Sequence, residues 1–205
     1  MSNNPSPPLD LNAIRHEFPA LDNYTWFQNG GVSITPARIA EEHARLMREL
    51  LDRGPLHILY PDEEDERRRT TMQCLADFFA VDPHELALMR GVSEAYQTVL
   101  RGLDWQPGDE IIISQDEEAA LLLPALHLRD RCGVRVVKIP LLSAVDQQLA
   151  ALQDCLSDRT RLVALSHVTT DLGYRLPVHD ICRIARQHGA LTFVDVAHSA
   201  GLFEI

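Results

Sequence analysis

Leu162-Val163-Ala164-Leu165-Ser166, then Val178, Ile181, Cys182 and Ala185, then Leu191-Thr192-Phe193-Val194-Asp195, is the stretch that decides the fold. Two short β-prone runs flank one apolar stripe at i, i+3, i+4 and i+7, which is the pattern of a strand, a helix and a second strand. Such a unit needs its two strands parallel, because the helix carries the chain back along the sheet before the second strand begins.

Working outward, the same alternation starts at Glu85. The runs Leu86–Met89, Ile111–Ser114 and Val134–Ile139 precede the two already quoted. Between them lie a stripe of Tyr96, Val99, Leu100 and Leu103, a helix from about Glu118 to Arg131, and a further helix near Asp146 to Leu156. Pro124 falls within the second of these, so it should kink that helix or sit in its first turn. Five strands separated by four helices predict an α/β fold, with a mainly parallel sheet covered by helices on both faces.

The residues before Glu85 read differently. Thr35 and Pro36 form an N-cap and N1 pair, and Ile39, Leu46, Met47 and Leu50 keep one face apolar as far as Gly54-Pro55. Met72, Leu75, Ala76 and Phe79 form a second stripe that Asp82-Pro83 closes. The domain reading is therefore a disordered start over residues 1–9, a helical segment over 10–84 and the α/β domain over 85–205. The acidic run Asp62–Glu66 and the basic run Arg67–Arg69 read as one solvated helix face, with Glu63 paired to Arg67.

Composition narrows the function. The chain has 205 residues, of which 45% are hydrophobic, enough to build a core without disulfide or metal staples. Thirty acidic against nineteen basic residues leave a formal charge of -11, which argues against a nucleic-acid partner. The longest uncharged apolar run, Ala119–Leu126, is far short of a membrane span and contains Pro124. The first eight residues lack the basic and apolar regions of a signal peptide. Cys74, Cys132, Cys155 and Cys182 are widely spaced without a C-x-x-C, as expected of reduced thiols in the cytoplasm.

Ligands of parallel α/β sheets bind beyond the carboxyl ends of the strands, so the residues following each strand carry the candidate chemistry. These are Gly91-Val92-Ser93-Glu94, then Gln115-Asp116-Glu117-Glu118, then Ser166, His167, Thr169 and Thr170, and finally Asp195 with His198 three residues on. Gly91 to Ala95 reads as a turn opening a helix, suited to an anion through its free N–H groups or simply capped by Ser93. Asp195 ends an apolar strand, where a lone carboxylate is costly to bury. It either caps the following turn, joins His198 at a metal, or pairs with a protonated ring nitrogen of a cofactor. His167 reads as a hydrogen-bonded structural histidine or as a site residue.

In order along the chain, Phe27-Gln28-Asn29-Gly30-Gly31, Met89-Arg90-Gly91-Val92-Ser93-Glu94-Ala95, Leu165-Ser166-His167-Val168-Thr169-Thr170, Gly173, Leu176-Pro177-Val178, Gly189-Ala190 and Val194-Asp195-Val196-Ala197-His198-Ser199-Ala200-Gly201 resemble the class V aminotransferase family. That group of fold type I pyridoxal-phosphate enzymes includes cysteine desulfurases, kynureninase and isopenicillin N epimerase-like proteins. The resemblance implies that Val92 and Ser93 hold the phosphate of pyridoxal 5'-phosphate and that Asp195 pairs with the pyridine nitrogen. It also implies that His198 approaches the ring hydroxyl, that His167 belongs to the cofactor site, and that Thr169 or Thr170 contacts ring or substrate. Asn29 and Gly30 would lie on the substrate side. An amino-acid substrate, a cytoplasmic homodimer and relatives about twice as long follow from the same resemblance.

The sequence departs from the family at two places. Where the family stacks a His or aromatic residue on the ring, this chain has Asp116-Glu117-Glu118-Ala119, so Glu118 at the ring would hydrogen-bond a substrate amine or point to solvent. The family's Schiff-base lysine, some two dozen residues beyond the match to Asp195, is absent from these 205 residues, whose single lysine is Lys138 on a predicted strand. The catalytic lysine is thus unassigned. One alternative is a non-catalytic or split protein that binds the cofactor and relies on a partner chain. Another is a metal-dependent hydrolase using His167, Asp195 and His198.

Overall fold

The computed structural model describes residues 9–203, so all but the last residue of the stretch expected to be disordered lies outside the described residues. The described residues divide into two units, one ending at Leu88 and the other beginning at Met89.

The first unit is helical. It comprises α1 (Leu11–His16), a 3₁₀ turn at Pro19–Asp22, α2 (Ala37–Arg53), α3 (Leu56–Leu59), α4 (Pro61–Phe79) and a 3₁₀ turn at Pro83–Glu85. Pro36 takes the N-cap place that Thr35 was expected to fill, with extended backbone (ψ 149°), and accepts from the Ile39 and Ala40 amides. The expected Glu63–Arg67 pair does not form. Arg67 instead reaches Glu49 on α2 (3.3 Å), and Glu63 binds Arg53 (2.9 Å). Glu49, with a side chain 13% exposed, also accepts from Arg45 and Arg53. A carboxylate with little water around it attracts guanidinium groups more strongly than the solvated Glu63 does.

The second unit is α/β. It runs α5 (Val92–Gly102), β1 (Glu110–Ser114), α6 (Ala119–Cys132), β2 (Arg135–Ile139), α7 (Val145–Cys155), β3 (Thr160–Ser166), α8 (Val178–Gln187) and β4 (Leu191–Asp195). The four strands are parallel in the order β2-β1-β3-β4. The fifth expected strand, Leu86–Met89, is not a strand, because no neighbour among the described residues supplies its ladder hydrogen bonds. Pro124 lies inside α6 beyond the first turn, and the helix continues through it.

Alternation along the strands builds two cores. Ile111, Ile113, Leu162 and Ala164 pack with Tyr96, Leu100, Leu121 and Ala125 on the face covered by α5 and α6. Ile112, Val163 and Leu165 pack with Leu152, Ile181, Ile184 and Ala185 on the face covered by α7 and α8. At the N-terminal edge, buried Glu110 accepts from Arg135 (2.8 Å), Ser157 (2.6 Å) and Thr160 (3.3 Å), and Asp109 pairs with Arg161 (3.2 Å). These bonds tie the starts of β1, β2 and β3 together.

Candidate active site

The chain leaves β1 toward β2 on one side, while β3 and β4 build outward on the other. The switch in strand order therefore falls between β1 and β3, where the loops at their carboxyl ends diverge and open a crevice. The Asp116-Glu117-Glu118 run sits at this point, and each of its carboxylates accepts a backbone N–H. Asp116 accepts from Leu172 (3.1 Å) and Glu118 from Ala119 at the start of α6 (3.1 Å). Glu117 accepts from the Ser166 amide (3.0 and 3.2 Å) and hydroxyl (2.7 Å). Burial raises the Glu117 carboxyl above the usual range, and hydrogen bonds from Ser114 and Ser166 work against that rise. Glu118 is the residue of this run that the sequence singles out; the structure gives Glu117 the contact across to Ser166.

Asp195 closes β4 and is 6% exposed. Its Oδ1 accepts from the Ala197 amide (2.9 Å), so it caps the next turn, and it makes no ion pair among the described residues. Two residues earlier, Phe193 packs its ring 4.9 Å from Tyr96 of α5. Residues i and i+2 of a strand share a face, so Asp195 belongs to the α5 side of the sheet. Ser166 does too, following Leu162 and Ala164. One turn before Tyr96, α5 begins with Val92 and Ser93 after extended Gly91, and its first intrahelical bond runs from the Ala95 amide to the Gly91 carbonyl (3.2 Å). The amides of Val92, Ser93 and Glu94 thus precede the ladder, at the positive end of the helix dipole. Glu94 folds back to accept from the Arg90 amide (2.7 Å).

Two hydroxyls are buried without a partner among the described residues: Tyr96 Oη and Thr170 Oγ1. Burial, with the nearby Glu117 charge, pushes the Tyr96 phenol up. Thr169 differs from its neighbour, since its hydroxyl accepts from the Tyr174 amide (3.1 Å) and closes the turn that follows β3.

The remaining sequence candidates separate. His167 follows Val163 and Leu165 onto the opposite face, where Nδ1 meets Ser199 Oγ (3.1 Å) and the ring lies edge-on to Phe203. There it lines a cavity of about 350 Å³ with Arg175, Leu176 and Val145. Burial, and then the Arg175 charge, lowers its pKa. The structure does not bring the His167 ring to the Asp195 face. His198 is half-buried in the turn after β4. Asn29 and Gly30 belong to the first unit, in a turn where the Asn29 carbonyl accepts from Ser33 (2.9 Å). Lys138 is exposed on the edge strand β2. Among the described residues, no three His, Cys, Asp or Glu side chains cluster as a metal site requires, and no helix is long and apolar enough to cross a membrane.

The donor set suits a phosphorylated, cationic heteroaromatic ring. A buried carboxylate without a counter-ion matches a protonated ring nitrogen, free amides at a helix start match a phosphate, and the orphaned Thr170 hydroxyl offers one further polar contact.

Comparison with known proteins gives a family and a fold. The family model described as Aminotransferase class-V matches residues 66–205. A probable cysteine desulfurase of Methanothermobacter thermautotrophicus is 28% identical over 196 residues, which cover 94% of this chain and 48% of that protein. Among solved structures, a mutant of C-DES with glycine covalently linked to its PLP cofactor matches with a TM-score of 0.82 at 32% identity, over 91% of this chain and 50% of that one. The complex of the cystine C–S lyase C-DES with its reaction product, cysteine persulfide, matches with a TM-score of 0.81 at 32% identity, over 90% of this chain and 50% of that one. The chain spans about half the length of the curated relatives it matches.

Proposed function

The chain belongs to the aminotransferase class-V family, and from that premise we propose that it carries the cofactor-binding half of a pyridoxal-phosphate enzyme that cleaves the C–S bond of cysteine or cystine. The observation that carries this reading is Asp195, a buried carboxylate with no ion pair among the described residues, on the sheet face whose helix α5 starts with free amides. Relatives named as cysteine desulfurases and as a cystine C–S lyase support the sulfur amino acid as substrate class.

When bound, pyridoxal phosphate supplies an electron sink for bond breaking at or beside an amino acid's α-carbon. The work of the chain's residues is to hold and polarise it. Asp195 would accept the ring N–H and keep that nitrogen protonated, at a site where burial strengthens the attraction. The Val92 and Ser93 amides and the Ser93 hydroxyl bind the phosphate, whose charge the α5 dipole favours. His198 and Thr170 offer hydrogen bonds at the ring's polar edge. The whole protein would act as a homodimer in the cytoplasm.

Lys138, the single lysine of the 205 residues, is exposed on β2 and is not assigned to the site. Titration of the purified chain with pyridoxal phosphate, followed by borohydride and intact-mass measurement, tests the cofactor site and the exclusion of Lys138 from it. Saturable absorbance change with no mass increase is the expected result. An adduct on Lys138 would overturn the placement of that residue, and the absence of any saturable change would overturn the cofactor site in this chain.

A further inference from the structure

The β1–β3 ladder ends at Ile113↔Ala164, whereas the β3–β4 ladder runs on to Ser166↔Asp195. The last two residues of β3 therefore extend past its ladder with β1. The Ser166 amide donates toward the β1 side, and the next amide, that of His167, donates to the Asp195 carbonyl on the β4 side (2.8 Å). Ser166 is 2% exposed, so water cannot replace the strand partner its amide lacks. Glu117 takes that place: its carboxyl group accepts from both the amide and the hydroxyl of Ser166, bridging the crevice at the point where the strand order reverses.

We propose that Glu117 is a positioning residue of the cofactor site, a side chain that stands in for the missing β1 ladder and holds the end of β3 so that Asp195 and the Thr169–Thr170 turn keep their places for a bound ring. The proposal rests on the reading of this site as one for pyridoxal phosphate. The physical reason is hydrogen-bond accounting. Without Glu117, two buried donors on Ser166 lose their acceptor, and the strand end must move to satisfy them. Ser166 is the register partner of Asp195, and it is followed directly by the amide that binds the Asp195 carbonyl. A shift there is passed to the carboxylate that would hold the ring. Asp116 reinforces the same loop by accepting from Leu172, within the turn after β3.

The test compares the wild-type chain with Glu117→Ala and Glu117→Gln. Pyridoxal-phosphate affinity is read by absorbance titration, folding by thermal unfolding, and the clamp by amide hydrogen exchange at Ser166 and His167. Gln keeps an oxygen for the Ser166 amide, so it should bind within about threefold of wild type, whereas Ala should bind about tenfold or more weakly and lose protection at both amides. Wild-type affinity in Glu117→Ala overturns the proposal, as does a Gln variant no better than Ala. Should Glu117→Ala fail to fold, the Gln variant decides alone, near-wild-type affinity with Ser166 protected supporting the proposal and tenfold weaker binding overturning it. A wild-type chain that binds no pyridoxal phosphate removes the cofactor reading, and exchange at Ser166 then decides separately whether Glu117 holds the strand end.

Discussion

The two edges of one sheet treat buried acids in opposite ways. At the N-terminal edge, Glu110 and Asp109 each have an arginine, Arg135 and Arg161, with hydroxyls of Ser157 and Thr160 also donating to Glu110 and the Gln106 amide to Asp109. At the C-terminal edge, Glu117 and Asp195 have no arginine among the described residues, and N–H and O–H donors serve them instead. Burying charge is costly at either edge. The first edge offsets that cost with cations within the fold, and the second does not, which is the arrangement the proposed cofactor site requires.

The largest effect that could break this contrast is at Asp195. Asp195→Asn should weaken pyridoxal-phosphate binding by about a hundredfold, roughly 2.7 kcal/mol, because the ring nitrogen loses its buried counter-ion. The same change should leave the thermal midpoint equal or higher, since it removes an unpaired charge. A lower midpoint with unchanged affinity would show Asp195 to be structural, like Glu110.

Glu110→Ala should give the mirror result. Removing an acceptor shared by an arginine and two hydroxyls should cost about 2–3 kcal/mol by urea unfolding, with cofactor affinity within about twofold of wild type. Loss of affinity in proportion to stability would erase the distinction between the edges.

Acid and base titration sharpens it further. Glu117 has a folded pKa raised above its ordinary 4.5, so its contribution to stability is fully present below that value and is lost as pH rises through the folded pKa. Glu117→Gln should therefore gain stability relative to wild type as pH rises above about 4.5. His167 has the opposite sign. Its pKa lies below the ordinary 6.5, so its contribution is present above 6.5 and is lost as pH falls through the folded pKa. Denaturant midpoints across pH 4 to 8 for wild type, Glu117→Gln and His167→Gln would separate the two slopes. The smallest effect is expected at Tyr96→Phe, which should change stability by less than about 1 kcal/mol because the buried phenol has no partner to lose.

Much of this was legible in the linear chain, and the exceptions share a cause. Alternating strand runs and helical stripes predicted β1 to β4 and α5 to α8, because period and residue type are local properties. The Leu86–Met89 run failed as a strand, since pairing depends on a neighbour that no local pattern specifies. Glu63 was paired with the wrong arginine because Arg67 lies within reach of another helix. At the site, the free amides of Val92 and Ser93 and the buried Asp195 could be read from their places at element ends. His167 was grouped with Asp195 because both follow strands, although the two-residue period of β3 turns its ring to the opposite face.

By itself, the sequence determined that this chain makes a parallel α/β sheet and which strand ends carry polar groups, because hydrophobic periodicity and capping are written over a few neighbouring residues. Only the tertiary structure decided which of those groups meet. Glu117 and Ser166 lie 49 positions apart and face each other solely because β1 and β3 are adjacent across the point where strand order reverses. Partnership across a sheet depends on strand order, register and face, and none of these is a property of any short stretch of sequence.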